Sequence, residues 1–179
     1  MTRVVHIDKI RLESSVRKGF RNWNSKFKED FGMETRLSQI SDKTLAFLVK
    51  GRDTSLFYLY DLIMCLKNLG SGFEFNDLNS DQKMMVMDLY LFLLDRIRFE
   101  FMMRLGWLSS YPGDDLTLVE LIIQFDKLGS ILQTRLPQLA PSHEGYSTFI
   151  SMNEFEKEEF IRRLIPEALN KVRDYSKTL

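Results

Sequence analysis

Apolar residues are packed most densely between positions 84 and 105. From Met84 to Leu94 only Asp88 is neither apolar nor Tyr, and Ile97, Phe99, Phe101, Met102, Met103 and Leu105 continue the run. Leu and Met favour helix, and a strand of this length would be exceptional. The pattern predicts a long hydrophobic central helix over about residues 80–106, with Ser80 as N-cap, Asp81 in the first turn and Gly106 as the C-terminal stop. A helix apolar on every side is either buried or spans a membrane. Asp88, Asp95, Arg96, Arg98, Glu100 and Arg104 interrupt the run too often for a span, so no membrane is expected and the helix reads as a core element.

The rest of the chain carries helical patterns that can cover it. Val16, Phe20, Trp23, Phe27 and Phe31 mark an amphipathic helix over residues 9–31, ended by Gly32. Ser41 and Asp42 open a short helix closed by Gly51, and Asp53, Thr54 or Ser55 caps a second one closed by Gly70. Phe73 and Phe75 flank Glu74 in a short extended piece. The clearest loop runs from Ser109 to Asp115, and Asp114 or Asp115 caps the helix that follows. That helix pauses near Gly129 and resumes at residues 131–136. Residues 137–147, with Pro137, Pro141 and Gly145, form the longest irregular stretch. Asn153 and Glu156 make a capping-box variant for a last helix that Pro166 should kink or split. With about six helices and almost no strand, the expected fold is an all-α single-domain bundle over residues 1–179, wrapped on the central helix.

Two readings of the central charges are open. Asp81, Asp88 and Asp95 recur every seven residues on one face, with Arg96, Glu100 and Arg104 on a neighbouring stripe at i,i+4. They make either a solvated strip or, for Asp88 and Asp95, an interior carboxylate pair that takes a metal or an arginine from another helix. Asp88, Asp95 and Arg98 are therefore the candidate polar site. The surface of the 54–69 helix raises a different expectation: Leu56, Phe57, Tyr58, Leu59, Tyr60, Leu62, Ile63, Met64 and Leu66 leave one of its sides to water, which a two-fold homodimer would cover.

Composition narrows the chemistry. Twenty-five basic and 25 acidic residues cancel, so no global field draws in nucleic acid. The first 31 residues are locally basic, with Arg3, Lys9, Arg11, Arg17, Lys18, Arg21, Lys26 and Lys28 against Asp8, Glu13, Glu29 and Asp30. Their aromatics fall on the docking face rather than among the cations, which makes nucleic acid an unfavoured partner. The single cysteine, Cys65, excludes an internal disulfide and fits a reducing cytoplasm, where an inert buried thiol is expected. Only His6 and His143 are present, and neither follows a Glu-x-x spacing, so no di-iron or zinc site is expected and no cofactor is indicated. Gly70-Ser71-Gly72 lacks the Lys-Ser/Thr of a phosphate loop. The helix after Gly51 is too apolar to read DNA bases. Glu156 and Glu159 have the spacing of a magnesium-binding Glu-x-x-Glu, but Glu167 and Asp174 downstream do not supply its partner motif. These exclusions leave a protein-interaction or scaffold module as the first expectation, not an enzyme, and a ligand binder or enzyme built on Asp88 and Asp95 as the alternative.

Overall fold

The computed structural model describes the backbone of residues 2–178 and the side chains of residues 7–174. The side chains of Arg3, His6 and Lys177 fall outside that range. Eight α-helices are present among the described residues: α1 (Thr2–Phe27), α2 (Asp42–Val49), α3 (Thr54–Leu66), α4 (Ser80–Arg104), α5 (Leu118–Ile123), α6 (Phe125–Thr134), α7 (Tyr146–Ile150) and α8 (Glu154–Thr178). The fold is all-α, with one two-stranded sheet in which β1 (Leu108–Ser110) runs antiparallel to β2 (Gln138–Leu139). β1 overlaps the start of the first segment expected to be a loop and β2 lies in the second, and the paired Leu108 and Leu139 are both buried.

The central helix is α4, and α2, α3, α5, α6, α8 and β1 all pack on it. Its N-cap is Asn79 rather than Ser80: Gln82 N donates to Asn79 Oδ1 at 2.9 Å and Asn79 N to Gln82 Oε1 at 3.1 Å. A reciprocal box needs a Gln or Glu three residues after the cap, which Asn79 finds in Gln82 and Ser80, followed by Lys83, does not. Gly106 ends the helix as expected, at φ 77°, with Gly106 N donating to Met103 O and Trp107 N to Met102 O. Burial is not all-round. Val86, Leu89, Leu93 and Ile97 are sealed, but Met84, Met87 and Leu91 are 64%, 47% and 57% exposed, a stripe at helical spacing that no element covers.

The first helix ends four residues earlier than its hydrophobic pattern. Lys28 turns into the left-handed region at φ 57°, and Phe31 folds back so that its N–H donates to Asn24 Oδ1 at 2.8 Å. Phe31 thereby joins Phe20, Trp23 and Phe27 in one aromatic cluster, and this packing fixes the turn. Trp23 Nε1 donates to the Tyr58 carbonyl at 2.8 Å and ties α1 to α3. No side of α3 is fully open to water: Leu59, Leu62, Ile63, Met64 and Leu66 are buried, while Leu56, Phe57, Tyr58 and Tyr60 are partly covered by α1, α4 and residues 72–77. The last of these segments is a 3-10 turn, Gly72–Asp77, not an extended piece.

Three further corrections concern the later helices. Thr117, not Asp114 or Asp115, caps α5, in a reciprocal box with Glu120. The break expected near Gly129 lies instead at Gln124, between α5 and α6, and Gly129 stays helical and buried. α8 is not split at Pro166 but runs through it, and the ring removes the bond that the Arg162 carbonyl would have accepted. Its capping box and its Glu158–Arg162 and Glu159–Arg163 pairs are formed as the spacing predicts.

The α2–α3 connection turns on Gly51. Gly51 sits at φ 60°, the Tyr90 hydroxyl donates to its carbonyl, and a Cβ there would lie 2.7 Å from Leu94 Cδ2. Gly51→Ala combines a left-handed alanine with a core clash, and a loss of about 1–3 kcal/mol is expected. Urea denaturation reads it directly, and an unchanged midpoint would show that the turn relaxes freely.

Candidate functional site

Asp88, Asp95 and Arg98 are not brought together. Asp88 and Asp95 share a helix face, but they stand about 10 Å apart along the axis at 1.5 Å per residue. Asp88 is exposed, whereas Asp95 lies half-buried where α8 crosses, 4.0 Å from Arg162 Nη1. Arg98 points elsewhere: its Nε donates to the Val49 carbonyl at 3.3 Å and closes the C-terminal end of α2.

The α4–α8 crossing forms a cleft of about 230 Å³, to which the segment after α6 also contributes. Five charged residues line it, Asp95, Arg96, Arg135, Glu158 and Arg162, together with an apolar wall of Phe99, Leu136 and Ile161. Arg96 is only 3% exposed. Its guanidinium lies over Phe92 at 4.8 Å and Phe99 at 5.3 Å, and its Nη1 donates to the Pro112 carbonyl at 2.7 Å. Its Nε is sealed from solvent and has no hydrogen-bond partner; among the described residues it is the one buried side-chain polar atom in that position. Burial draws the Arg96 pKa down to about 10, against the pull of Asp95 and Tyr111, so the group remains charged at neutral pH. Burial also holds the Asp95 carboxyl above its ordinary range, with Arg162, Arg96 and Arg98 opposing.

The reading of the α4 charges as a solvated strip holds for Asp81 and Asp88 and fails further along. Glu100 is 6% exposed and accepts from the Tyr111 hydroxyl at 3.0 Å. Arg104 reaches Glu100 at 3.3 Å, Asp42 at 2.8 Å and the Leu37 carbonyl at 3.0 Å. The segment from Leu37 to Asp42 and the loop at Tyr111 enclose this end of α4, and each supplies a partner. Burial and the adjacent Glu100 push the Tyr111 hydroxyl well above the usual phenol range.

A second polar hollow, of about 500 Å³, lies between α1 and α3 and was not singled out from the sequence. At its floor Asp61, 1% exposed, accepts from Asn22 Nδ2 at 2.9 Å and from Gly72 N at 2.8 Å. Ser71 N in the same turn donates to Glu74 Oε2 at 2.6 Å. The chain's own carboxylates thus fill the turn that lacks phosphate-loop residues. A lone Asp within the apolar run of α3 was the available signal. Cys65 borders the hollow; burial, then Asp61, pushes its thiol up to about 11, so it is protonated and unreactive at neutral pH.

The remaining candidates are engaged structurally. Glu156 closes the α8 cap and Glu159 pairs with Arg163. His143 Nδ1 accepts from Gly145 N at 3.0 Å while its ring meets Trp107 and Phe160. Among the described residues no group of three or more His, Cys, Asp or Glu side chains is placed to hold a metal ion, and no helix is long and apolar enough to cross a membrane. No protein-family model, curated protein or solved structure matches the chain.

Proposed function

We propose that the chain is a small-ligand-binding protein that holds an anion in the cleft between α4 and α8. The observation that carries this reading is Arg96, buried and charged with Nε unpaired, at the wall of a cleft that also displays Arg135 and Arg162. A buried donor without an acceptor costs about 1–3 kcal/mol, and an anionic oxygen supplied by a ligand, with a small rotation of the guanidinium in its ring sandwich, removes that cost. The two carboxylates of the cleft, Asp95 and Glu158, both face Arg162, which leaves neither poised as a base. The reading is therefore of a binder rather than an enzyme, with Asp95 retained in the site and Asp88 and Arg98 outside it.

The expectation of a protein partner or a homodimer keeps one support, the exposed stripe of Met84, Met87 and Leu91. Three half-exposed side chains make a patch of a few hundred Å², which an ordinary monomer carries. A stable interface needs about 800 Å² per partner. The side of α3 that motivated the dimer is partly covered by the chain's own elements. Nucleic acid is not favoured either, since Lys18 and Arg21 border the hollow that holds the Asp61 carboxylate.

Thermal unfolding across a panel of small anions tests the proposal. A ligand at a hundred times its Kd stabilises by about 2.7 kcal/mol, which for a chain of this size raises Tm by roughly 5–11 °C. Sulfate and phosphate stabilise proteins non-specifically, so the comparison is with the double variant Arg135→Gln, Arg162→Gln, in which the shift should vanish. A panel that leaves Tm unmoved, or a shift that survives in the double variant, sinks the reading.

A further inference from the structure

Resting on that reading, we infer that the anion is a small monocarboxylic acid with a short apolar tail, its carboxylate on the arginines and its tail against Phe99, Leu136 and Ile161. Charge is the first reason. Three arginines face two carboxylates in the cleft and leave one uncompensated positive charge, which a monoanion neutralises and a phosphate dianion exceeds. Shape is the second, because a flat carboxylate matches the edge of a guanidinium with two parallel hydrogen bonds, and Arg96 has only its Nη1 engaged. Size is the third. The cleft, about 230 Å³, lies below the roughly 300–1,000 Å³ of pockets that enclose drug-sized ligands, which favours a small ligand. The apolar lining supplies the last reason, since half-buried Leu136, beside the buried Phe99 and Ile161, gives an apolar tail a surface to cover that an inorganic anion would leave in water.

Isothermal titration of the full chain with acetate, butyrate, benzoate, inorganic phosphate and adenosine monophosphate tests this inference. Each methylene added between acetate and butyrate is expected to tighten Kd about fourfold, as burial of a CH₂ group does, so butyrate should bind more than tenfold tighter than acetate. Benzoate should bind at least as well as butyrate, and the nucleotide should not bind. Leu136→Ser, at a half-buried position, should flatten the dependence on chain length, and Arg135→Gln with Arg162→Gln should abolish binding of the whole series. Phosphate or the nucleotide binding as tightly as butyrate, and lost in the arginine double variant, would overturn the monocarboxylate while leaving an anion site in place. Equal affinity for acetate and butyrate would do the same. A series in which nothing binds in an arginine-dependent way overturns both.

Discussion

Leu94→Ala is expected to cost roughly 2–5 kcal/mol, while Leu91→Ala, three residues earlier on the same helix, should change stability by less than about 0.5 kcal/mol. Both leucines sit in the same uninterrupted apolar run, and the run alone treats them as equals. In the structure Leu94 is 5% exposed and packs against the Gly51 turn, whereas Leu91 is 57% exposed on the uncovered stripe. Removing Leu94 leaves a cavity whose lining loses its contacts; removing Leu91 leaves solvent where solvent already reaches. The urea midpoints of the two variants, measured side by side, check this. Equal midpoints would mean that α4 is rotated relative to its neighbours from the orientation described.

Arg104→Met should be the most damaging single change among the charged residues, with an expected loss of about 3–5 kcal/mol. The substitution preserves much of the side chain's volume but leaves Glu100, buried at 6% exposure, with only the Tyr111 hydroxyl as partner. It also strips the Leu37 carbonyl of its donor and Asp42 of an ion pair. For a chain of this length the loss corresponds to a fall in Tm of roughly 6–20 °C. The physical cause is an uncompensated buried charge, so Glu100→Gln added to Arg104→Met should recover part of the stability although it removes a further charge. A double variant no more stable than Arg104→Met alone would assign the loss to packing rather than electrostatics.

Which parts of the molecule were legible in the sequence depends on how local their causes are. The capping box of Asn153 and Glu156 and the Gly106 stop each involve residues within one or two turns, and both form as the sequence predicts. The caps of α4 and α5 lie one and two or three residues from the positions the sequence suggests, because several polar residues near each helix start can serve and side-chain geometry chooses among them. The end of α1 departs from its hydrophobic pattern for a different reason. Phe31 keeps the helical spacing of Phe27, but it reaches the aromatic cluster from a turned-back chain, and periodicity cannot distinguish the two routes.

The candidate site shows the same limit. Asp95 was legible because a carboxylate in an apolar run has few explanations, and its heptad spacing from Asp88 was read correctly as a shared face. Spacing says nothing about where along that face a second helix crosses, and α8 crosses at Asp95 and leaves Asp88 in water. Arg96 was counted in an exposed ladder because it lies four residues from Glu100, yet Pro112, Phe92 and Phe99 hold it inside. Arg135 and Arg162 could not be joined to it from sequence, since they lie 39 and 66 positions further along the chain. The sequence by itself determined the all-α class, the central helix and most helix stops, because propensity, caps and periodicity act over a few residues. Only the tertiary structure decided which charges of α4 are buried and which three arginines share a cleft, because those follow from crossings between segments distant in the chain, each placed by the packing of the whole core.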